Sequence, residues 1–180
     1  MRALLITGPV GVGKTTIAEA VGDRFRETGT PHAVVDLDWL SKCWPAPSGD
    51  PFHFELQLRN LRAVARNHAK AGARRLVLAG VVESRADRDR YASVIDGPLL
   101  VGRLKADLSV IRERLAARHP DEAELRWHLD RAEELETLFA SAAVEDFVMD
   151  AARPVSVVSA ETALEWLLRE PPPNPFSASE

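Results

Sequence analysis

Cysteine occurs once in the 180 residues, at Cys43. No internal disulfide is available and no thiolate zinc site can be assembled, which suits a reducing compartment. The five histidines (His32, His53, His68, His119 and His128) show no metal-ligand spacing along the chain. Long apolar runs are missing too, with nothing near the ~18 continuous apolar residues of a membrane span. Met1-Arg2 and a short apolar run lead straight into glycines, unlike a signal peptide, so a cytoplasmic location is expected. Excess positive charge is also absent. Twenty-three Lys plus Arg face 27 Asp plus Glu, a net charge of −4. That excludes a generally basic nucleic-acid-coating protein and leaves only a local basic site open. Lysine is scarce, confined to Lys14, Lys42, Lys70 and Lys105, so most of the basic charge is arginine. This reads either as a GC-rich coding bias or as a supply of forked guanidinium clamps for phosphate. What is present is ordinary: 46% hydrophobic and 28% charged residues, enough for one domain with a proper core.

Short apolar runs alternate with helical patterns. Ala3–Ile6, Ala33–Val35, Leu76–Val82, Leu99–Leu104 and Phe147–Met149 read as strands. Helices are expected over Lys14–Glu27, Phe52–Ala71, from Ser84 through Ile95, after Asp107, over a long stretch containing Leu125 to Phe139, and from about Ser159. Ser84 with Asp87 resembles a capping box. Five alternations in this length predict a parallel sheet covered by helices on both faces, a three-layer α/β/α domain over residues 1–170. The proline-rich stretch from Pro171 to the end is expected to be a disordered tail. Ligands of such sheets bind beyond the carboxyl ends of the strands.

The strongest motif sits there. Gly8-Pro9-Val10-Gly11-Val12-Gly13-Lys14-Thr15 satisfies G-x-x-x-x-G-K-[ST] between a buried strand and a helix. Glycines let the backbone curl so that successive N–H groups point inward as an anion nest. The following helix aims its positive end at the same place. Lys14 reaches the β- and γ-phosphates of ATP in this arrangement, Thr15 supplies a hydroxyl to Mg²⁺, and Thr16 is a further phosphate contact. No Asn/Thr-Lys-x-Asp guanine-reading segment occurs, and the third strand runs into Gly80-Val81-Val82-Glu83 without an Asp-x-x-Gly switch. These absences argue against a GTPase and favour a compact kinase.

Val34-Val35-Asp36-Leu37-Asp38 then places Asp-x-Asp at the end of the second strand. With the phosphate loop, this resembles the small-metabolite kinases of the shikimate, gluconate and adenylylsulfate kinase type. The resemblance implies a phosphate-loop fold with a five-stranded parallel sheet and a short helical lid at approximately 112–128. It implies transfer of the γ-phosphate of ATP, with Mg²⁺, to a hydroxyl of a small molecule. By it Asp36 lies near the metal with Thr15, and Asp38 approaches the acceptor hydroxyl. If strand geometry persists, Asp36 and Asp38 share a face; both equally read as helix-capping or surface aspartates.

Further residues follow from the same resemblance. Arg85, after the third strand, corresponds to an acceptor-holding position, and Arg88 or Arg90 would assist; these also read as a solvated helix face. Arg118, at the break before His119-Pro120, is the lid arginine that stabilises transferring charge. Arg126 is a weaker candidate for the lid, and Arg114 equally reads as a surface ion-pair residue. Arg153, after the fifth strand, falls where the adenine-contacting loop lies. Trp39, Trp44, Phe52 and Phe54 gather around the loop after Asp38, either as an acceptor pocket or as a satellite core. Trp127 and Trp166 read as packing residues. Two other activities remain compatible with the motifs: an ATP-hydrolysing switch or binding module without an acceptor, and a nucleic-acid end kinase, which the −4 charge disfavours.

Overall fold

In the computed structural model, residues 1–50 and 52–169 are described; the proline-rich tail lies outside them. The strands are β1 (Arg2–Thr7), β2 (His32–Asp36), β3 (Arg75–Ala79), β4 (Leu99–Lys105) and β5 (Phe147–Asp150). They form one parallel sheet in the order β2-β3-β1-β4-β5. The helices are α1 (Lys14–Glu27), α2 (Leu37–Ser41), α3 (Phe54–Lys70), α4 (Arg85–Ile95), α5 (Leu108–Arg118), α6 (Glu122–Ala142) and α7 (Val155–Leu168).

Alternation along the central strands explains the three layers. Ala3, Leu5, Leu76 and Leu78 face one side, where they meet Leu58 and Leu61 of α3, Tyr91 and Ile95 of α4, and Leu135 and Phe139 of α6. Leu4, Ile6, Val77 and Ala79 face the other side, against Ile17, Val21 and Phe25 of α1 and Val158 and Trp166 of α7. Both faces of β1 and β3 are therefore apolar, which is why these strands read as continuous apolar runs. Ile111 and Leu115 of α5 with Ala132 of α6 make a smaller core at one end.

Several boundaries differ from the sequence reading, among them the start of α3, at Phe54 instead of Phe52. β3 stops at Ala79 instead of reaching Val82. The chain turns off the sheet at Gly80, where a Cβ would lie 2.5 Å from Leu37 Cδ1. The last helix begins at Val155, immediately after Pro154, rather than at Ser159. Asp36 and Asp38 do not share a strand face, because the strand ends at Asp36 and Asp38 belongs to α2. The carboxylate of Asp36 accepts the backbone N–H of Asp38 at 2.9 Å, capping the new helix and turning the chain away from the sheet. The capping box at Ser84 forms as read, its hydroxyl accepting the Asp87 N–H at 3.1 Å.

Candidate functional site

The carboxyl end of β1 leads into the phosphate loop. Gly8, Gly11 and Gly13 have φ of 146°, 81° and 105°. At Gly8 a Cβ would lie 2.5 Å from the Leu104 carbonyl oxygen, and at Gly11 2.8 Å from Leu115 Cγ. Both positions therefore need glycine for φ and for space. The loop curls around Lys14, whose Nζ donates to the carbonyls of Gly8 and Pro9, each at 3.0 Å. Burial lowers the Lys14 pKa from 10.5 to about 8, opposed by Asp38 and Asp36 and assisted by Arg118. Gly13 caps α1 in the left-handed region with no side-chain hydrogen bond, so the first turn presents its amides to the cavity.

Beside the loop, Thr15 donates its hydroxyl to Asp36 Oδ2 at 2.7 Å. A hydroxyl and a carboxylate oxygen held together next to a lysine form a hard oxygen donor set suited to Mg²⁺. Asp38 projects from α2 into the same cavity. Its carboxyl is pushed above the ordinary carboxylate range by desolvation, with Lys14 pulling it back and Asp36 adding to the rise.

One cavity of about 700 Å³ joins Lys14, Thr15 and Asp38, while Asp36 stands behind Thr15 off the lining. It is lined by the loop from Val10 to Thr16, by Asp38 and Phe54, and by Arg118 and Arg153. Arg153 also pairs with Glu161 at 2.7 Å and 2.9 Å, so its guanidinium is anchored at the rim. Arg114 lines it as well, fixed by hydrogen bonds to the Val12 carbonyl at 2.8 Å and the Ala151 carbonyl at 2.9 Å. The lid region, read as approximately 112–128, comprises the end of α5, the turn at His119 and the start of α6.

Two expected acceptor contacts are not brought in. Trp39 is 69% exposed and stacks under Lys42 Nζ at 3.8 Å, outside the cavity lining. Arg85 donates to the Ala143 carbonyl at 2.9 Å, because the first turn of α4 directs it toward the α6–β5 connection. Arg88 bonds both carboxylate oxygens of Asp146, and Arg90 bonds Glu55.

The far wall comes instead from residues the sequence reading took for packing or helix faces, or left aside. Tyr91 donates to Gln57 Oε1 at 2.5 Å, and Gln57 Nε2 donates to the Leu37 carbonyl at 3.0 Å. Arg131 of α6 pairs with Glu83 and Glu134. Trp127 and His128 complete that side. Histidines without sequence spacing do gather in space: ligand-type atoms of His119, Glu124 and His128 lie within 4.8 Å of one another. His119 Nδ1 is 3.0 Å from Glu124 Oε1. The only one-dimensional trace of this cluster is Glu124 and His128 one helical turn apart.

No protein-family model matches the sequence, and no curated protein matches it either. Solved structures do match over nearly the whole chain. A sugar kinase from Janibacter sp. is 28% identical with a TM-score of 0.63, covering 93% of this chain and 94% of its own. A gluconokinase from Sinorhizobium meliloti is 20% identical with a TM-score of 0.56, covering 94% and 97%. A tunicamycin resistance protein from Deinococcus radiodurans is 21% identical with a TM-score of 0.64, covering 92% and 95%. Among the described residues no helix is long and apolar enough to cross a membrane.

Proposed function

For a chain with the phosphate-loop fold of the small-molecule kinases, we propose an ATP-dependent phosphotransferase that moves the γ-phosphate to a hydroxyl of a small molecule. The observation that carries this reading is the convergence of the phosphate loop, Asp38 and Arg118 on one cavity at the carboxyl edge of the sheet. The amides of residues 10–16 and the Lys14 ammonium bind the triphosphate. Thr15 and Asp36 would hold Mg²⁺, which when bound would supply charge neutralisation to the triphosphate.

Asp38 orients the acceptor hydroxyl and takes its proton as the new bond from oxygen to the γ-phosphorus forms. The bond from that phosphorus to the β,γ-bridging oxygen breaks, and ADP leaves with the bonding electrons. Desolvation, by raising the proton affinity of Asp38, suits it to this role. Arg118, at the end of α5 and on the lining of the same cavity, would face the charge that spreads over the transferring oxygens. Arg153 and the turn at Ala151 flank the base.

The test is ADP release across a panel of hydroxylated small molecules, with Lys14→Ala as the blank. Asp38→Asn should lower acceptor-dependent release by about 10²–10⁴-fold while leaving binding of a non-hydrolysable ATP analogue intact. Unaltered turnover in that variant rejects the base assignment. Slow ADP release that no acceptor accelerates supports an acceptor-free ATPase instead.

A further inference from the structure

The nucleotide end of the cavity is accounted for by the loop, Arg114, Arg118 and Arg153. The acceptor end has a different character. Phe54 packs edge-on against Tyr91, with centroids 5.5 Å apart at 81°, and carries the Arg90 guanidinium over one face, 5.0 Å from its centroid, which leaves the other face for a ligand. Phe52 is 64% exposed and Trp127 57% exposed, yet both line the cavity. Covering such rings with a flat apolar ligand removes apolar surface from water on both partners.

Charge at this end points the same way. Its acids are Asp38 and Glu83, and its guanidinium is Arg131. Arg131 is already engaged by both Glu83 and Glu134 and lies over the Phe52 ring, 5.0 Å from its centroid. His128 has its pKa lowered, chiefly by burial and then by His119, so the imidazole adds no charge at neutral pH. The arginines after β3, where an anion clamp would stand, are directed elsewhere: Arg85 to Ala143, Arg88 to Asp146 and Arg90 to Glu55. Tyr91 and Gln57 satisfy one another. Lys14 beside Asp38 and Arg118 beside His128 also line the cavity and would be taken up by the triphosphate, so an anionic acceptor would be left facing Asp38 and Glu83, with the Arg131 guanidinium already paired.

We infer that the acceptor is an uncharged or cationic alcohol carrying a flat apolar ring, held between Phe54 and Trp127, and that carboxylate-bearing acceptors are rejected. This rests on the phosphotransfer reading, and it separates the chain from the sugar-acid chemistry named by its gluconokinase neighbour. Glu83 is the specificity determinant: it occupies Arg131 and offers its own carboxylate side to a hydroxyl or ammonium.

A matched series tests this: 2-(2-naphthyl)ethanol bearing hydrogen, aminomethyl or carboxylate at ring position 6, with gluconate alongside. Calorimetric binding to the full chain with Mg²⁺ and a non-hydrolysable ATP analogue is compared with ADP release under ATP. The neutral and aminomethyl alcohols should bind at least about tenfold more tightly than the carboxylate, a difference of about 1.4 kcal/mol. Trp127→Ala, an exposed substitution, should weaken them about tenfold without lowering Tm. Glu83→Gln frees Arg131, so the gap between carboxylate and neutral members should shrink several-fold. Equal or tighter binding of the carboxylate or of gluconate, or no binding by any member, overturns the inference. The expected order of binding without ADP release above the Lys14→Ala blank would leave the ligand class standing and reject phosphotransfer.

Discussion

Thr15 and Asp36, 21 positions apart, meet through a 2.7 Å hydrogen bond that joins the first turn of α1 to the last residue of β2. The same Asp36 carboxylate accepts the Asp38 amide through its other oxygen. One side chain thus fixes the Thr15 hydroxyl and sets where Asp38 leaves the sheet. Substituting it tests the two roles separately. Asp36→Asn keeps an acceptor oxygen for the α2 cap but loses the charge. It should raise the Mg²⁺ concentration for half-maximal ADP release by about 10–100-fold, with little change in Tm. Asp36→Ala should do the same and also lower stability by about 1 kcal/mol through the lost cap. Magnesium titrations and urea unfolding of both variants distinguish these outcomes.

The opposite perturbations of Lys14 and Asp38 predict a pH signature. Lys14, lowered to about 8 by burial, loses its charge well below the ordinary lysine range. Triphosphate favours the charged amine, so nucleotide affinity should be flat below about pH 8 and fall above it, by up to tenfold per pH unit. Lys14→Ala should bind weakly and without this dependence. The unliganded protein behaves in the reverse sense. Between about 8 and 10.5 the unfolded chain holds the proton that the folded chain has released, so this group makes stability rise with pH. Asp38, raised by desolvation, should set an acid limb of acceptor-dependent turnover above the ordinary carboxylate range. Nucleotide affinity from pH 6 to 10 and a turnover profile on both limbs measure these effects.

The phosphate loop was legible because its spacing encodes a backbone shape: positive φ at three glycines and a helix starting at the lysine. The parallel sheet was legible because β1 and β3 bury both faces. Two features were hidden for different reasons. Helix capping by Asp36 was one of the readings left open; the cap on the Asp38 N–H forms where Leu37 packs over Gly80, a long-range approach that the local pattern does not record. Trp127, His128 and Arg131 sit at helical spacing, which fits a core-facing stripe and a cavity-facing one alike. Arg85 misled for a related reason. Its position after a strand is correct for a clamp, but the Ser84 cap starts α4 with Arg85 turned toward Ala143.

Arg114 provides a third prediction. It ties the Val12 carbonyl of the phosphate loop to the Ala151 carbonyl after β5, bridging two segments that border the cavity. Only a planar fork reaches both oxygens at 2.8 Å and 2.9 Å. Arg114→Lys retains the charge but only one of the two contacts. It should lower stability by about 1.5–3 kcal/mol and raise the Kd for the ATP analogue by about tenfold. Acceptor preference should stay the same, because neither anchored segment touches that end. Calorimetric Kd values beside urea midpoints would reveal a merely decorative surface arginine by leaving both unchanged.

Arg103 provides the fourth, and it concerns folding alone. Its side chain, only 4% exposed, leaves the sheet at β4 and lies between Glu136 at 2.7 Å and Glu145 at 3.3 Å, with its guanidinium over Phe139. The two carboxylates are themselves 26% and 17% exposed, so water screens them only in part. Removing the arginine leaves two facing acids with no partner between them. Arg103→Met should therefore cost about 3 kcal/mol, near the lower end for a broken buried pair. Adding Glu136→Gln and Glu145→Gln removes the stranded charges, and the triple variant should recover most of that loss. Urea unfolding of the single and triple variants decides it: a triple variant no more stable than Arg103→Met would assign Arg103 a packing role on Phe139 rather than a charge-compensating one.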